Sequence, residues 1–462
     1  MPDILQFVDS ISGSPGIRLD LNDDVTWGLD YNTDFSPPRL KTAWSDTLLV
    51  NGEHLAASAY ANRTVALRLD LKTSTVNGQG TELQKLWREL DRPFNFLMWQ
   101  PAGMTNPVFF RTLRSGDNRV SDYPGTGDFR TVDVRIVAEP FAYGIEEVMS
   151  PVTVSNDPAA VSDGCYFDVA SPAGDVETPA IFEMPGASDV DSAIGVFAIR
   201  RRGTPANTPF AIQAESMTMG TDTSVQSNSA TMSGAGSNYV RVSFAGGPGM
   251  SQRIYAEPYP AVDVSDARGD YRVLVRVKRS DATSVMSMQC SYGVATGDEV
   301  TLPLDTNVQI IDLGLFSIPS GVDPIYDGFS GTEMPVHGGR LTIYADRASG
   351  TGTLDIDYVL LVPADDRLTL VSWGGVHLSD TVRVDGVSRQ VYGLTSGGAV
   401  DLGSAEVAGG WLDLLPGVTN RVFFLRQVST GLVGSGADDV TATTDITVRY
   451  YPRYLHVRPV SS

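Results

Sequence analysis

Phe210-Ala-Ile-Gln-Ala-Glu-Ser-Met-Thr-Met219 and Leu354-Asp-Ile-Asp-Tyr-Val-Leu-Leu361 bound the stretch that decides how this chain is read. Each is a short alternating or continuous apolar run of the kind that forms a β-strand. Between them, residues 238–244, 271–278, 285–290, 309–315 and 340–344 have the same character, separated by Gly, Pro, Asp and Ser clusters. No amphipathic helical period runs through any of them. Strands punctuated by turns over about 150 residues are the signature of a β-sandwich of ordinary domain size. The expected fold class is therefore mainly β, with several sandwiches in one chain.

Outward from this stretch lie two segments, 141–205 and 366–462, that carry strand patterns only. The first holds Cys165-Tyr-Phe-Asp-Val169, Pro179-Ala-Ile-Phe-Glu-Met184 and Ile194-Gly-Val-Phe-Ala-Ile-Arg200. So few strands bury too little apolar surface to be stable alone. The second holds strand-like runs at 368–373, 381–385, 410–414, 420–425 and 445–450. It reads either as an independent small sandwich or as the other half of a domain begun by 141–205. The second reading completes both halves and is preferred, which makes 206–365 an insertion.

Residues 1–140 form the first unit. Gly16-Ile-Arg-Leu-Asp-Leu21 and Thr64-Val-Ala-Leu-Arg-Leu-Asp-Leu71 alternate cleanly, with Val65, Leu67, Leu69 and Leu71 sharing one face. The one convincing helix is expected over 81–91. Thr81 stands as its N-cap, with Gln84 three residues on. Leu83, Leu86, Trp87 and Leu90 form an apolar stripe, and Pro93 stops the helix. Phe94-Asn-Phe-Leu-Met-Trp99 and Thr131-Val-Asp-Val-Arg-Ile-Val137 follow as strands, so one helix laid on a mostly antiparallel sheet is expected.

The totals bound the function. A chain of 462 residues is long enough for about three domains, and an apolar fraction of 42% supplies packed cores. No window approaches a membrane-spanning apolar run, and Met1-Pro-Asp-Ile lacks the basic and apolar regions of a signal peptide. Two cysteines, Cys165 and Cys290, are too few for a disulfide framework and read as small buried apolar residues. The 46 glycines and 27 prolines suit many short strands and tight turns. A formal charge of −21 argues against nucleic-acid binding, which rests on Lys and Arg contacts to phosphate. It is compatible with an acidic channel that DNA passes through without sticking.

Chemistry-bearing patterns are sparse. The acidic pairs Asp23-Asp24, Glu146-Glu147, Asp298-Glu299 and Asp365-Asp366 sit in loop-like stretches, where solvated charge is the ordinary state. His54, His337, His377 and His456 are scattered, without the spacing of a zinc site or a local triad. Gly234-Ala-Gly236 and Gly246-Gly-Pro-Gly249 lack the Lys-Ser/Thr of a phosphate loop and read as turns. Asn62-Arg-Thr64 matches a glycosylation sequon in a chain with no secretory signal. No catalytic residues are assigned, and an enzyme is not expected.

Three stretches carry a resemblance: Val137-Ala-Glu-Pro-Phe-Ala-Tyr-Gly144, Asp385-Gly386, and Trp411-Leu-Asp-Leu-Leu-Pro-Gly-Val-Thr-Asn420. Together, and in this order, they resemble the distal tail proteins, or minor tail proteins, of long-tailed siphovirus-type bacteriophages of actinobacteria. The resemblance implies an N-terminal sandwich with one helix that builds a ring, usually hexameric, at the end of the tail tube. It also implies a second, galectin-like sandwich outside the ring, here interrupted by the inserted module. The implied partners are further copies of the chain, the tail tube protein, the tape measure and tail-hub or receptor-binding proteins. The implied location is the virion tail tip, after synthesis in the host cytoplasm. It implies no membrane partner and no direct nucleic-acid binding. The ring contacts would fall in 1–140, with the Leu83/Leu86/Trp87/Leu90 face packing within or between subunits.

The insert resembles jelly-roll carbohydrate-binding modules that begin with an Ala-Glu strand and end with an Asp-Tyr-Val-x-Leu strand. That resemblance implies host-surface glycans as its ligand and a structural calcium held at Glu215 and Asp357. Two residues are far from the six to eight oxygen ligands calcium takes, and both also read as polar strand-end residues. Sugar sites place aromatic rings against the apolar face of a pyranose. The insert offers Tyr239, Tyr255, Tyr259, Tyr292 and Tyr326 but no Trp, and Trp373 lies just beyond it. Tyr255, Tyr259 and Tyr292 are the candidate contacts, the first two in the Pro-containing Tyr255-Ala-Glu-Pro-Tyr-Pro260; packing at the sandwich rim is the competing reading. The alternative function is a secreted or surface carbohydrate-binding adhesin that forms no ring. A glycosidase has the least support.

Overall fold

The structure is a computed structural model. It describes residues 3–30, 33–46, 53–115, 118–121, 129–155, 166–185, 192–199, 211–227, 238–256, 269–292, 295–306, 308–318, 340–363, 368–374, 381–395, 397–401, 406–428 and 443–455. Strands dominate, with one α-helix among the described residues, as the sequence patterns require. The chain divides into two compact units. One comprises Met1–Val148 with Pro172–Thr178 and Tyr450–Ser462; the other comprises Met149–Ser171 and Pro179–Arg449.

The first unit is built on a nine-stranded antiparallel sheet. Its main path runs Ile17–Asp20, Ile4–Val8, Phe94–Gln100, Val108–Leu113, Phe129–Tyr143, Arg63–Lys72, Trp27–Leu29. The long strand Phe129–Tyr143 serves both halves of this sheet. Phe129 to Ala138 pair with Arg63–Lys72, and Ala138 to Tyr143 pair with Val108–Leu113. The register shifts between Ala138 and Ala142, across Glu139-Pro140-Phe141. Proline has no N–H to give a ladder, so the strand bends where Pro140 interrupts it. Val65, Leu67, Leu69 and Leu71 face the core together with Leu5, Phe7, Leu97, Trp99 and Phe110. The C-terminal strand Arg453–Tyr454 returns to pair with Ala142 and Tyr143.

The helix spans Val76–Leu90, not 81–91. Thr75 is its N-cap: its backbone is extended and its hydroxyl accepts from the Gly78 N–H at 3.1 Å. Thr81 lies a full turn inside, and its hydroxyl donates to the Asn77 carbonyl. The Thr81/Gln84 pattern imitates a cap inside the helix, and Gly78 and Gly80 before it weigh against a helix by about 1 kcal/mol each. Burial of Gln79, Leu86, Glu89 and Leu90 overrides that preference. The expected stripe holds, with Leu86 and Leu90 buried and Leu83 and Trp87 packed against the core.

A separate two-stranded sheet, Leu40–Asp46 with Glu53–Tyr60, was not expected from the sequence. Its described side chains are exposed, Leu40, Trp44 and Tyr60 among them. Apolar alternation, the usual strand signal, needs one buried face, and this hairpin shows none.

In the second unit, strands from both sides of the 206–365 stretch share two sheets. In one, Thr443–Tyr450, Thr178–Pro185, Thr381–Asp385, Gln390–Thr395 and Gly398–Asp401 lie in that order, with Val152–Ser155 also on Thr443–Tyr450. In the other the order is Tyr166–Val169, Asn420–Val428, Ser192–Ile199, Leu368–Gly374, Glu406–Gly409. Among the described residues, the strands between Ala211 and Pro363 pair only with one another, in two six-stranded sheets. The first runs Thr223–Gln226, Tyr239–Val242, Leu354–Pro363, Gly269–Arg279, Val308–Ile318, with Ala211–Gln213 added on Leu354–Pro363. The second runs Thr218–Met219, Ser251–Ala256, Leu341–Ser349, Val285–Tyr292, Ala295–Thr296, with Val300–Thr301 also on Val285–Tyr292. One core holds Val240, Val275 and Ile356 from the first sheet and Ile254, Met288 and Ile343 from the second. That is a β-sandwich.

Candidate functional site

The described sequence candidates, Glu215, Asp357, Tyr255 and Tyr292, fall in the sandwich of 211–363. Glu215 sits in a 3-10 turn, Ala214–Ser216, directly after the strand Ala211–Gln213. Its Oε2 is buried without a hydrogen-bond partner, and so is Oε1 of Gln213. Two shielded acceptor oxygens on neighbouring residues are a local surplus of negative potential, which a cation or a donor relieves. Asp357 has a different environment. It pairs with the guanidinium of Arg276, and both are fully buried. Arg276 also lies 5.6 Å from the Tyr358 ring centroid. A carboxylate held this way already has its counter-charge. Among the described residues, no three His, Cys, Asp or Glu side chains gather as a metal set.

The tyrosines separate by strand alternation. Tyr292 points into the core with Met286, Met288 and Cys290, leaving 5% of its surface exposed. It offers no ring face to a sugar, which corrects its place among the glycan contacts. Its hydroxyl has no partner, and burial beside Tyr271 pushes its pKa up. Burial likewise raises the thiol of Cys290, so it is an inert core group. Tyr255 points the other way, away from Ile254 and the core, and the Arg340 guanidinium stands 4.3 Å from its ring centroid. Tyr259, Tyr326, Cys165, His337, His377, His456, Asp365-Asp366 and Gly234-Ala-Gly236 lie outside the described residues.

Sequence reasoning missed Tyr344, and the signal was available. In Leu341-Thr-Ile-Tyr-Ala-Asp346, Leu341, Ile343 and Ala345 are buried in the core, so Thr342, Tyr344 and Asp346 face outward. Sequence reasoning also missed the arginines that organise the insert. Arg253 is 1% exposed and donates to the carbonyls of Ala345 and Thr221, with its guanidinium 4.9 Å from the Phe244 ring centroid. Arg279 donates to the carbonyls of Leu302, Pro303 and Ser284. Arg241 forms a two-pronged pair with Asp355, at 2.7 and 2.9 Å, which raises its pKa. These cations tie loops and strands together and are occupied in doing so.

The stretches behind the resemblance are structural elements. Val137 to Tyr143 form the bent end of Phe129–Tyr143. Asp385 caps the turn after its strand by accepting from the N–H groups of Val387 and Ser388. Asn420 is fully buried and closes the Leu415–Asn420 turn from both sides. It accepts from the Leu415 N–H at 2.8 Å and donates to the Leu415 and Val418 carbonyls at 2.9 and 3.0 Å. Gly417 supplies the φ of +68° that this turn needs.

No family model matches the sequence, and no curated protein matches it. Among solved structures, the chain is similar to the crystal structure of SPP1 Dit (gp 19.1) protein, described as a paradigm of the hub adsorption apparatus in Gram-positive infecting phages. The alignment covers 98% of this chain and 99% of that one, at 8% identity and a TM-score of 0.40. The phage P2 baseplate in its activated conformation with Ca aligns over 77% of this chain and 98% of that one, at 6% identity and a TM-score of 0.26. The Sr form gives the same coverages and identity, with a TM-score of 0.25. Scores this low establish neither a family nor a function.

Proposed function

We propose that the chain is a structural component of a bacteriophage tail tip, a distal tail protein that assembles as a ring at the end of the tail tube. What carries this reading is the order of parts. A sheet-and-helix unit comes first, and then strands from 147–199 and 368–450 share two sheets around the separate sandwich of 211–363. That is the order the sequence resemblance implies. Under this proposal 1–140 is the ring-forming domain. Residues 141–205 and 366–462 are one galectin-like sandwich, and 206–365 is an outward carbohydrate-binding module.

The working surfaces are then protein–protein interfaces with further copies, tube, tape measure and hub proteins. DNA passes through the ring without binding, which suits a charge of −21. Native mass spectrometry with negative-stain images tests the assembly. A closed ring with a central hole wide enough for duplex DNA is expected. A species that stays monomeric alone and with the tube protein added overturns the ring.

Within the same proposal the insert contacts neutral glycans of the host surface. A structural calcium is kept on Glu215 with Gln213, whose shielded acceptors are its support. Asp357 is left to Arg276. Addition of a chelator that leaves the melting temperature unchanged removes the metal. The second reading, a glycan-binding adhesin without a ring, shares the insert and is separated from the first by the same mass measurement.

A further inference from the structure

The outer face of the smaller insert sheet carries an arrangement that the tyrosine candidates do not describe. Pairing registers place side chains in rows across its strands. One row is Thr218, Tyr255, Thr342, Ser291 and Thr296. The next is Gln252, Tyr344 and Gln289, and beyond it lie Asp346, Ser287 and Thr301. All are on the face opposite Ile254, Ile343, Cys290 and Met288, which are in the core.

The composition of this face is unusual for a solvated sheet. On a chain with 55 acidic and 34 basic residues, its rows are hydroxyls, amides and two phenols. Among the described residues, charge appears only at the ends, with Arg340 over Tyr255 and Asp346 beside Ser287. An ordinary exposed sheet face is kept soluble by interspersed Lys and Glu. Here Thr342 and Ser291 are sunk to 3% and 7% exposure between half-buried Tyr255, Tyr344, Gln252 and Gln289. The result is a floor of small hydroxyls with rings and amides standing above it. Every hydroxyl and amide both donates and accepts, and phenol rings present flat apolar area. This set complements a polyhydroxylated ligand with apolar ring faces and no charge. An anionic ligand meets one described cation, Arg340 at the Tyr255 edge, and is opposed by a chain at −21.

We propose that this sheet face, centred on Tyr344 with Tyr255, Gln252 and Gln289, is the binding surface for a neutral oligosaccharide. The proposal rests on the glycan reading of the insert and moves its site from the loop tyrosines to the sheet. Tyr255 and Tyr344 are diagonal neighbours on adjacent strands, about 7–8 Å apart at the backbone, close enough to hold one chain of sugars between them.

The test is titration of the full-length protein with a panel of neutral gluco-, galacto-, manno- and arabino-oligosaccharides, alongside a uronic-acid oligomer. Tyr344→Ala is expected to weaken neutral-sugar binding about tenfold, the scale of one lost aromatic contact. Gln252→Ala removes an amide with no hydrogen bond among the described residues, so it serves if Tyr344→Ala lowers the melting temperature. Neutral binding that survives both variants overturns the sheet face and leaves the glycan reading standing. Tighter binding of the uronic-acid oligomer than of every neutral one overturns the assigned ligand class. If the wild-type protein binds no member of the panel, the glycan reading and this site fall together, and the ring is unaffected.

Discussion

Arg63 offers a test in which burial alone sets the sign. It begins the strand Arg63–Lys72 on the same face as Val65, Leu67, Leu69 and Leu71, and is 1% exposed. Among the described residues no carboxylate lies against it. One nitrogen donates to the Leu455 carbonyl, and the guanidinium sits 5.4 Å from the Phe110 ring centroid. Nε and Nη1 are buried without partners. Desolvation alone pulls its pKa from 12.5 to about 10, equivalent to about 3 kcal/mol spent keeping the charge inside.

Replacement by methionine removes that cost. It forfeits the charged hydrogen bond, worth about 1.5 kcal/mol, and the ring contact, worth about 1 kcal/mol. Arg63→Met should therefore stabilise the first unit by about 0.5 kcal/mol, a rise of about one or two degrees in its melting transition. Calorimetry gives the transition, and hydrogen exchange at 63–72 and 129–138 assigns it to this unit. The pH dependence has a fixed sign. The folded pKa lies below the unfolded one, so the unfolded state binds more protons between about pH 10 and 12.5. The penalty is fully present at neutral pH and fades as pH rises through about 10, so the advantage of Arg63→Met shrinks there. A loss of about 2 kcal/mol or more at pH 7 would show that the cation is held for its contacts, and the desolvation argument would fail.

The other predictions concern single contacts. Thr75→Ala should cost about 1 kcal/mol as a lost N-cap, while Thr81→Ala should be neutral or slightly stabilising; equal losses in urea unfolding would return the cap to Thr81. Gly174 has φ +125°, and a Cβ there would stand 2.8 Å from the Arg453 carbonyl oxygen. Gly174→Ala should cost about 2–4 kcal/mol and speed exchange of the 453–455 amides, and unchanged exchange would refute the clash. Asp357→Ala leaves buried Arg276 without its carboxylate and should cost about 3–5 kcal/mol. Adding Arg276→Met should recover most of that loss, and strictly additive losses would mean that the two residues do not act as a pair.

Legibility in the sequence followed the number of buried faces. Thr64 to Leu71 alternates because one side packs and the other meets water, and it was read correctly. Leu354 to Leu361 is buried on both sides, with Asp355 and Asp357 paired to Arg241 and Arg276, and its apolar residues marked it as a strand. The hairpin Leu40–Asp46 with Glu53–Tyr60 left no pattern because its described side chains are exposed. The start of the helix was obscured by Gly78 and Gly80, whose propensity tertiary packing overrode. At the candidate site, position along the chain was the weaker guide and strand parity the stronger. Tyr292 has a tyrosine's chemistry but core parity, whereas Tyr344, passed over, has the parity of an outward residue. The Arg276–Asp357 pair was hidden because its partners lie far apart in sequence and meet only across Gly269–Arg279 and Leu354–Pro363.

The proposed interruption of one sandwich by another would have a physical basis that can be tested by excision. Ser192–Ile199 and Leu368–Gly374 are antiparallel neighbours, with Ala198 opposite Leu368. The insert therefore leaves from one strand of a pair and returns to the other. Its own first and last strands are paired too, Ala211 opposite Leu360 and Gln213 opposite Tyr358. A folded insert thus holds its ends together and closes the outer pair much as a short turn would. Joining Ile199 to Leu368 through a turn of about two to four residues should leave the outer sandwich with nearly the same melting temperature. An unfolded insert would instead act as a long loop, adding about 3 kcal/mol of closure entropy. Asp357→Ala, which weakens the insert alone, should then lower the outer transition in the full chain once the insert has melted, and excision should restore it. If the excised chain unfolds without a cooperative transition, the strands of 147–199 and 368–450 do not form one domain, and the split-domain proposal fails with it.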